Sequence, residues 1–326
     1  MEEIFKNLRT CGGQSLPSES DLKARIATKV FSFDDLSEGL DLASMSVGAD
    51  GDPLLLFDNV GFRRGGAAAH AHYQQMLGDS SVRRKIIRFL NGKIMEMQVK
   101  VSPGRTAVIH ALGADKYLLA YSGVTADGMN AWIMNADGSV ENKFPIGMAF
   151  TELQVTSNGN MWLGYDDYGV FSGDIFSRNV YSCFDRSGRL LFPAPNSHCD
   201  FSNWSGGLNV ASDDCVWLFP SGGELMRFQN FEKVHSFNLL PLLESNIIGP
   251  GAFSICENRA CWAPMLDFDF FSLVNLDDCS SEFFRVISAD GEILDHHNYV
   301  SRGSKMFFVA SKSVYSIDVR DMSFNT

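Results

Sequence analysis

The residues able to do chemistry in this 326-residue chain are few and scattered. Seven histidines occur, and only His70 and His72 share a local pattern, an HAH step that puts two imidazoles on one side of an extended chain as a metal site requires. No third ligand follows at metal-site spacing, and the surrounding RRGGAAAHAHYQQML reads as a loop insertion. His296 and His297 fall where one strand ends and another begins. G-x-S-x-G, HExxH, Walker and EF-hand patterns are absent. Asp50-Gly51-Asp52 and Ser157-Asn158-Gly159 have the composition of calcium loops but equally that of hairpin turns. Cys215 and Cys261 fall nearly in register when neighbouring repeats are aligned, as small core residues on a strand do; a redox pair is the weaker reading.

The elements that must position these residues announce themselves by repetition. A short apolar segment, a turn rich in Gly, Asp or Asn, and a strongly apolar segment recur six times: SMSVGADGDPLLLF, VIHALGADKYLLAY, LQVTSNGNMWLGY, LNVASDDCVWLF, FSICENRACWAPM and NYVSRGSKMFFVA. Alignment on the second segment places Leu54, Leu118, Trp162, Trp217, Trp262 and Phe307 in register, at intervals of 64, 44, 55, 45 and 45. A second class of hairpin lies between, turning at Asn91-Gly92, Asp137-Gly138, Ser187-Gly188 and Asp290-Gly291, each expected as a two-residue turn with both central residues at positive φ. LMRFQNFEKVHSF keeps the strand pattern with Asn230-Phe231 at the turn.

Two hairpins per period of about 45 residues make a four-stranded antiparallel blade. The chain is therefore expected to be all-β, a six-bladed β-propeller over 27–326, preceded by a leader over 1–26 that is partly disordered or holds a short helix. The last period supplies only three strands before Val319; Lys29 to Phe33 (KVFSF) is expected to add the fourth and close the ring.

The pattern resembles the six-bladed propellers of the NHL, gluconolactonase and two-component-regulator type, whose blades often carry G-x-Φ-W-Φ-G; Asn158 to Tyr165 (NGNMWLGY) is the best match. The resemblance is one of repeat form and spans many functions. Its lactonase members imply a channel cation on one Glu, two Asn and one Asp. Glu152, Asn209, Glu244 and Asn298 are the nearest counterparts here, although none stands in the family's motif.

Composition excludes some partners. The formal charge of −12 repels a phosphate backbone, and no basic stripe interleaved with aromatics offsets it, so nucleic acid is not expected. No run reaches the roughly 18 apolar residues of a membrane span, and the first residues lack the basic and apolar regions of a signal peptide; a cytoplasmic monomer with reduced thiols and no cofactor is expected. Insertions concentrate in the connections between hairpins, where binding loops sit on rigid scaffolds. These connections hold Asp166, Asp167, Tyr168, Asp200, Trp204, Asp267, Asp269 and Phe270, carboxylates and aromatics suited to a protein partner, basic in character. The expected function is non-enzymatic protein binding through that long-loop face. The alternative is a metal-dependent lactonase or esterase with its ion at the central channel.

Overall fold

Each apolar run of the repeat becomes a strand, and the turns follow from which residues tolerate positive φ. The computed structural model describes residues 17, 22–59, 84–99, 107–123, 127–193, 204–264 and 269–324. Two strands open the described chain, β1 (Lys23–Ile26) and β2 (Thr28–Ser32). The first blade is β3 (Asp41–Val47), β4 (Pro53–Asp58), β5 (Arg84–Leu90) and β6 (Lys93–Val99). The second is β7 (Ala107–Ala111), β8 (Lys116–Tyr121), β9 (Ala131–Asn135) and β10 (Val140–Phe144). The third is β11 (Phe150–Val155), β12 (Met161–Tyr165), β13 (Tyr181–Phe184) and β14 (Leu190–Phe192). The fourth is β15 (Ser205–Val210), β16 (Cys215–Pro220), β17 (Glu224–Gln229) and β18 (Glu232–Asn238). The fifth is β19 (Phe253–Cys256), β20 (Arg259–Trp262), β21 (Phe271–Asn275) and β22 (Ser281–Ile287). The sixth is β23 (His296–Arg302), β24 (Lys305–Ala310) and β25 (Ser313–Asp318), completed by β2. The fold is a six-bladed β-propeller of antiparallel four-stranded blades. The six aligned residues Leu54, Leu118, Trp162, Trp217, Trp262 and Phe307 all lie buried on second strands.

The contacts divide the chain into two compact units. Phe33–Asp200 holds the first three blades. Within it, Arg88 on β5 pairs with Asp50 at 2.5 Å and donates to the Gly113 carbonyl at 2.7 Å, tying the first blade to the β7–β8 turn. Lys85, its side chain only 2% exposed, bridges Glu38 and Glu96 and so enters the interior with its charge compensated. Arg186 reaches back from the third blade to the Leu112 carbonyl at 2.9 Å.

The other unit joins Met1–Ser32 to Phe201–Thr326 and holds blades four to six. The expected closing strand is present: Thr28 pairs with Ser316 and Ser32 with Ser313, antiparallel, and Phe31 is buried. One element departs from expectation. Lys23–Ile26, placed by sequence in the leader, is a strand that adds to β22 in parallel, giving the fifth blade five strands.

The turns also correct the sequence reading. Asn91 and Gly92 have φ of 52° and 74°, the two-residue form expected. Asp137, Ser187 and Asp290 do not share it: only the following glycine has positive φ (82°, 83° and 85°), and its N–H donates to a carbonyl three residues back. These are three-residue loops, a type I turn followed by a left-handed residue, which need one glycine and not two permissive positions. Asn230-Phe231, with φ of 50° and 68°, adopts the two-residue form without any glycine, placing an aromatic where the left-handed conformation is unfavourable.

Candidate functional site

Among the described residues of the Phe33–Asp200 unit, the connection from β12 to β13 holds the three most exposed large apolar side chains. It begins with a short helix, α1 (Asp167–Phe171), whose start is set by Asp166: the carboxylate accepts the Gly169 N–H at 2.8 Å, an N-cap. Gly169 is required there, because a Cβ would lie 2.6 Å from the Met148 carbonyl oxygen. Further along, Asp174 accepts from the Phe176 and Ser177 N–H groups, each at 2.9 Å, and from Ser177 Oγ. Ser177 Oγ in turn accepts from the Met148 N–H at 2.8 Å. The segment ends at Val180, buried at φ 63°, where a β-branched residue is strained. Two carboxylates thus hold the loop's shape, while Tyr168, Phe171 and Ile175 stand 69%, 75% and 60% exposed and Asp167 is exposed beside them.

Of the residues expected to bind a partner, Asp167 and Tyr168 are on this surface, and Asp166 is beside it but occupied as the helix cap. Phe171 and Ile175 went unremarked in sequence; the signal was available as apolar residues in a connection otherwise rich in Asp, Ser and Gly.

The remaining candidates belong to the other unit. Trp204 is 38% exposed, its backbone exchanging hydrogen bonds with Ser221. Beyond the same turn Gly223 abuts Leu240, which opens a second short helix, α2 (Leu240–Glu244), and is itself exposed. Asp269 pairs with Arg285 at 2.8 Å. Phe270 corrects the sequence reading: it is buried against Phe283, ring centroids 5.2 Å apart, because the β20–β21 connection has already turned inward there. Asp200, Asp267, His70 and His72 lie outside the described residues.

The histidine at the head of β23 makes a distinct cluster in this unit. His296 Nδ1 lies 2.6 Å from Tyr299 Oη, and the hydroxyl also donates to the His296 carbonyl at 3.0 Å. Burial between Phe271 and Phe308 pushes the imidazole below its ordinary range, against the opposing pull of Asp269 and Asp295. The Tyr299 hydroxyl is pushed up, chiefly by burial. A half-buried histidine whose neutral form is favoured stabilises the fold above its unfolded pKa of about 6.5, and the contribution is lost as pH falls through its lowered folded value. Melting temperatures of the parent and of His296→Phe, which keeps the aromatic packing, should therefore diverge between pH 7.5 and 5. The parent is expected to lose stability by up to about 1.4 kcal/mol per pH unit relative to the variant; parallel curves would show that His296 does not titrate with folding.

Two of the four counterparts to lactonase ligands are engaged in hydrogen bonds of their own. Asn209 gives its amide to the Phe253 and Gly303 carbonyls at 2.7 and 3.0 Å and accepts the Gly303 N–H at 2.8 Å, a knot across three blades. Glu152 accepts from Thr151 Oγ1 at 2.6 Å. Among the described residues no group of three or more His, Cys, Asp or Glu side chains is arranged to hold a metal ion. Cys215 and Cys261 are free thiols, and burial pushes Cys261 well above the ordinary thiol range.

No protein family and no curated protein matches the chain. Solved structures do. YCF48 bound to D1 peptide aligns with TM-score 0.44 and 12% identity over 88% of this chain and 80% of that one. KlHsv2 with loop 6CD replaced by a Gly-Ser linker gives 0.48 and 9% over 86% and 78%. Hsv2 of Kluyveromyces marxianus gives 0.46 and 10% over 88% and 78%. With TM-scores below 0.5 these similarities carry no argument about this chain, and no family model supports the resemblance to the NHL and gluconolactonase type beyond repeat form. Among the described residues no helix is long and apolar enough to cross a membrane.

Proposed function

We propose that this propeller is a non-enzymatic protein-binding module, a cytoplasmic monomer whose contact surface is built on residues 166–180. One observation carries the reading: three large apolar side chains, Tyr168, Phe171 and Ile175, are exposed on a segment fixed by a helix cap, an Asp174 hub and a glycine close approach. Exposed aromatics on a preorganised loop lose little entropy on binding and serve as interface anchors. Asp167 in the same segment, with the overall charge of −12, favours a basic partner.

The test joins Tyr168→Ala and Phe171→Ala in one variant and places a photo-crosslinking amino acid at Ile175 in the parent. A protein crosslinked through position 175 should bind the purified parent, and the double variant should bind it at least tenfold more weakly with an unchanged melting temperature. Undiminished binding by the double variant would remove this surface from consideration.

A further inference from the structure

The fifth strand of the fifth blade has the character of a bound peptide. β1 is four residues long and joins β22 in parallel, Lys23 opposite Phe284 and Ile26 opposite Ile287. Parallel pairing between a blade's outer strand and a remote segment is not how the repeat builds its sheets, all of which are otherwise antiparallel. Its side chains alternate. Lys23 and Arg25 turn towards the blade, where Lys23 Nζ lies 2.9 Å and Arg25 Nη2 3.6 Å from the Glu282 carboxylate. The Arg25 guanidinium also sits 5.2 Å from the centre of the Phe284 ring and donates to the Ser323 carbonyl at 3.1 Å. Ala24 and Ile26 point outward, Ile26 remaining 67% exposed. The segment joins β2 through Ala27, which is buried in the core and donates its N–H to the Ile287 carbonyl at 2.9 Å, so the closing strand has an anchor of its own apart from residues 23–26.

Backbone pairing to an open sheet edge with alternate side chains read by fixed groups is the physics of strand addition. We propose that the outer edge of β22 is a docking site for an extended segment of another protein bearing basic residues at alternate positions, and that residues 23–26 are its built-in occupant, which such a segment must displace. Glu282 and Phe284 set the specificity, one by charge and the other by its ring face. This edge is separate from the 166–180 surface, and neither reading depends on the other.

The test uses the full chain with Lys23→Gly, Ala24→Ser, Arg25→Gly and Ile26→Ser, which vacates the edge and leaves β2 in place; Lys23→Gly with Arg25→Gly serves if the fourfold change folds poorly. Fluorescence anisotropy follows a labelled SDLKARIAT peptide, a scrambled peptide and one with both basic residues replaced by alanine. The vacated protein should bind SDLKARIAT at least tenfold more tightly than the parent does. That gain should vanish with the alanine peptide, with the scrambled peptide and when Glu282→Gln is added. Equal binding to parent and vacated protein, or equal binding of the scrambled peptide, would overturn the proposal. So would a concentration-dependent dimer of the parent that the vacated form lacks, since the occupant would then be a second copy's strand.

Discussion

Removal of residues 1–32 is expected to abolish soluble, cooperatively folding protein. The deletion takes away β2 with its buried Phe31, leaving the hydrogen-bonding edge of β25 open along Ser313 to Ser316, and removes buried Ala27 from the core it shares with Tyr315 and Ile317. Burial of one phenylalanine contributes about 1.5–3 kcal/mol, and an exposed flat strand edge templates aggregation. Removal of residues 1–22 should leave the melting curve unchanged, because among the described residues the first strand begins at Lys23. Removal of 1–27 should fall between, losing buried Ala27 and β1 with its contacts to Glu282 and Phe284 while β2 stays whole. Melting and size-exclusion profiles of the three proteins check this order. If the shortest and longest deletions were equally tolerated, β2 would not complete the sixth blade.

The second large effect belongs to Asn209. Asn209→Ala strips partners from the Gly303 N–H and the Phe253 carbonyl in a buried setting and leaves a void beneath them. Each buried backbone group left unpaired costs about 1–3 kcal/mol, so the loss should be about 3 kcal/mol and the melting temperature should fall by several degrees. Asn258→Ala, which removes an exposed bond to Asp277, should change stability by less than about 0.5 kcal/mol. Chemical denaturation of both variants distinguishes the knot from an ordinary surface amide. Comparable small losses would mean that the three blades are held by packing alone.

The architecture was legible because a repeat states the same fact six times: aromatic or leucine residues at a fixed place on each second strand, and turn residues at fixed offsets. β2 could be found because KVFSF has strand composition and the last period lacked a strand. β1 was missed for the opposite reason. KARI has only four residues, two of them basic, and its strand character comes from Glu282 and Phe284 on a partner some 260 residues away, so local propensity says nothing of it. The turns at Asp137, Ser187 and Asp290 were read one residue too short, since an Asp-Gly pair fits both loop lengths and the flanking register decides. At the candidate site, sequence placed Asp167 and Tyr168 in a connection between strands, and both are exposed there, on α1. It could not separate them from Asp166, whose oxygen caps a helix only because Gly169 lets that helix sit against Met148, nor see that Phe270 turns inward.

Completion of the sixth blade by its first-made strand has a consequence in time. Thr28 emerges from the ribosome long before Ser316, its partner in the sheet. At about 5–20 residues per second, β2 waits roughly 15–60 s for the strand it must join, with Phe31 and its backbone groups meanwhile unpaired. The Phe33–Asp200 unit contains every strand of its three blades and can fold as it is made, whereas the unit that joins Met1–Ser32 to Phe201–Thr326 cannot finish until the strand at Ser316 has been made. Maturation of this protein is thus ordered by its topology, middle first and ends last, and the waiting segment is where a nascent-chain chaperone would find its substrate.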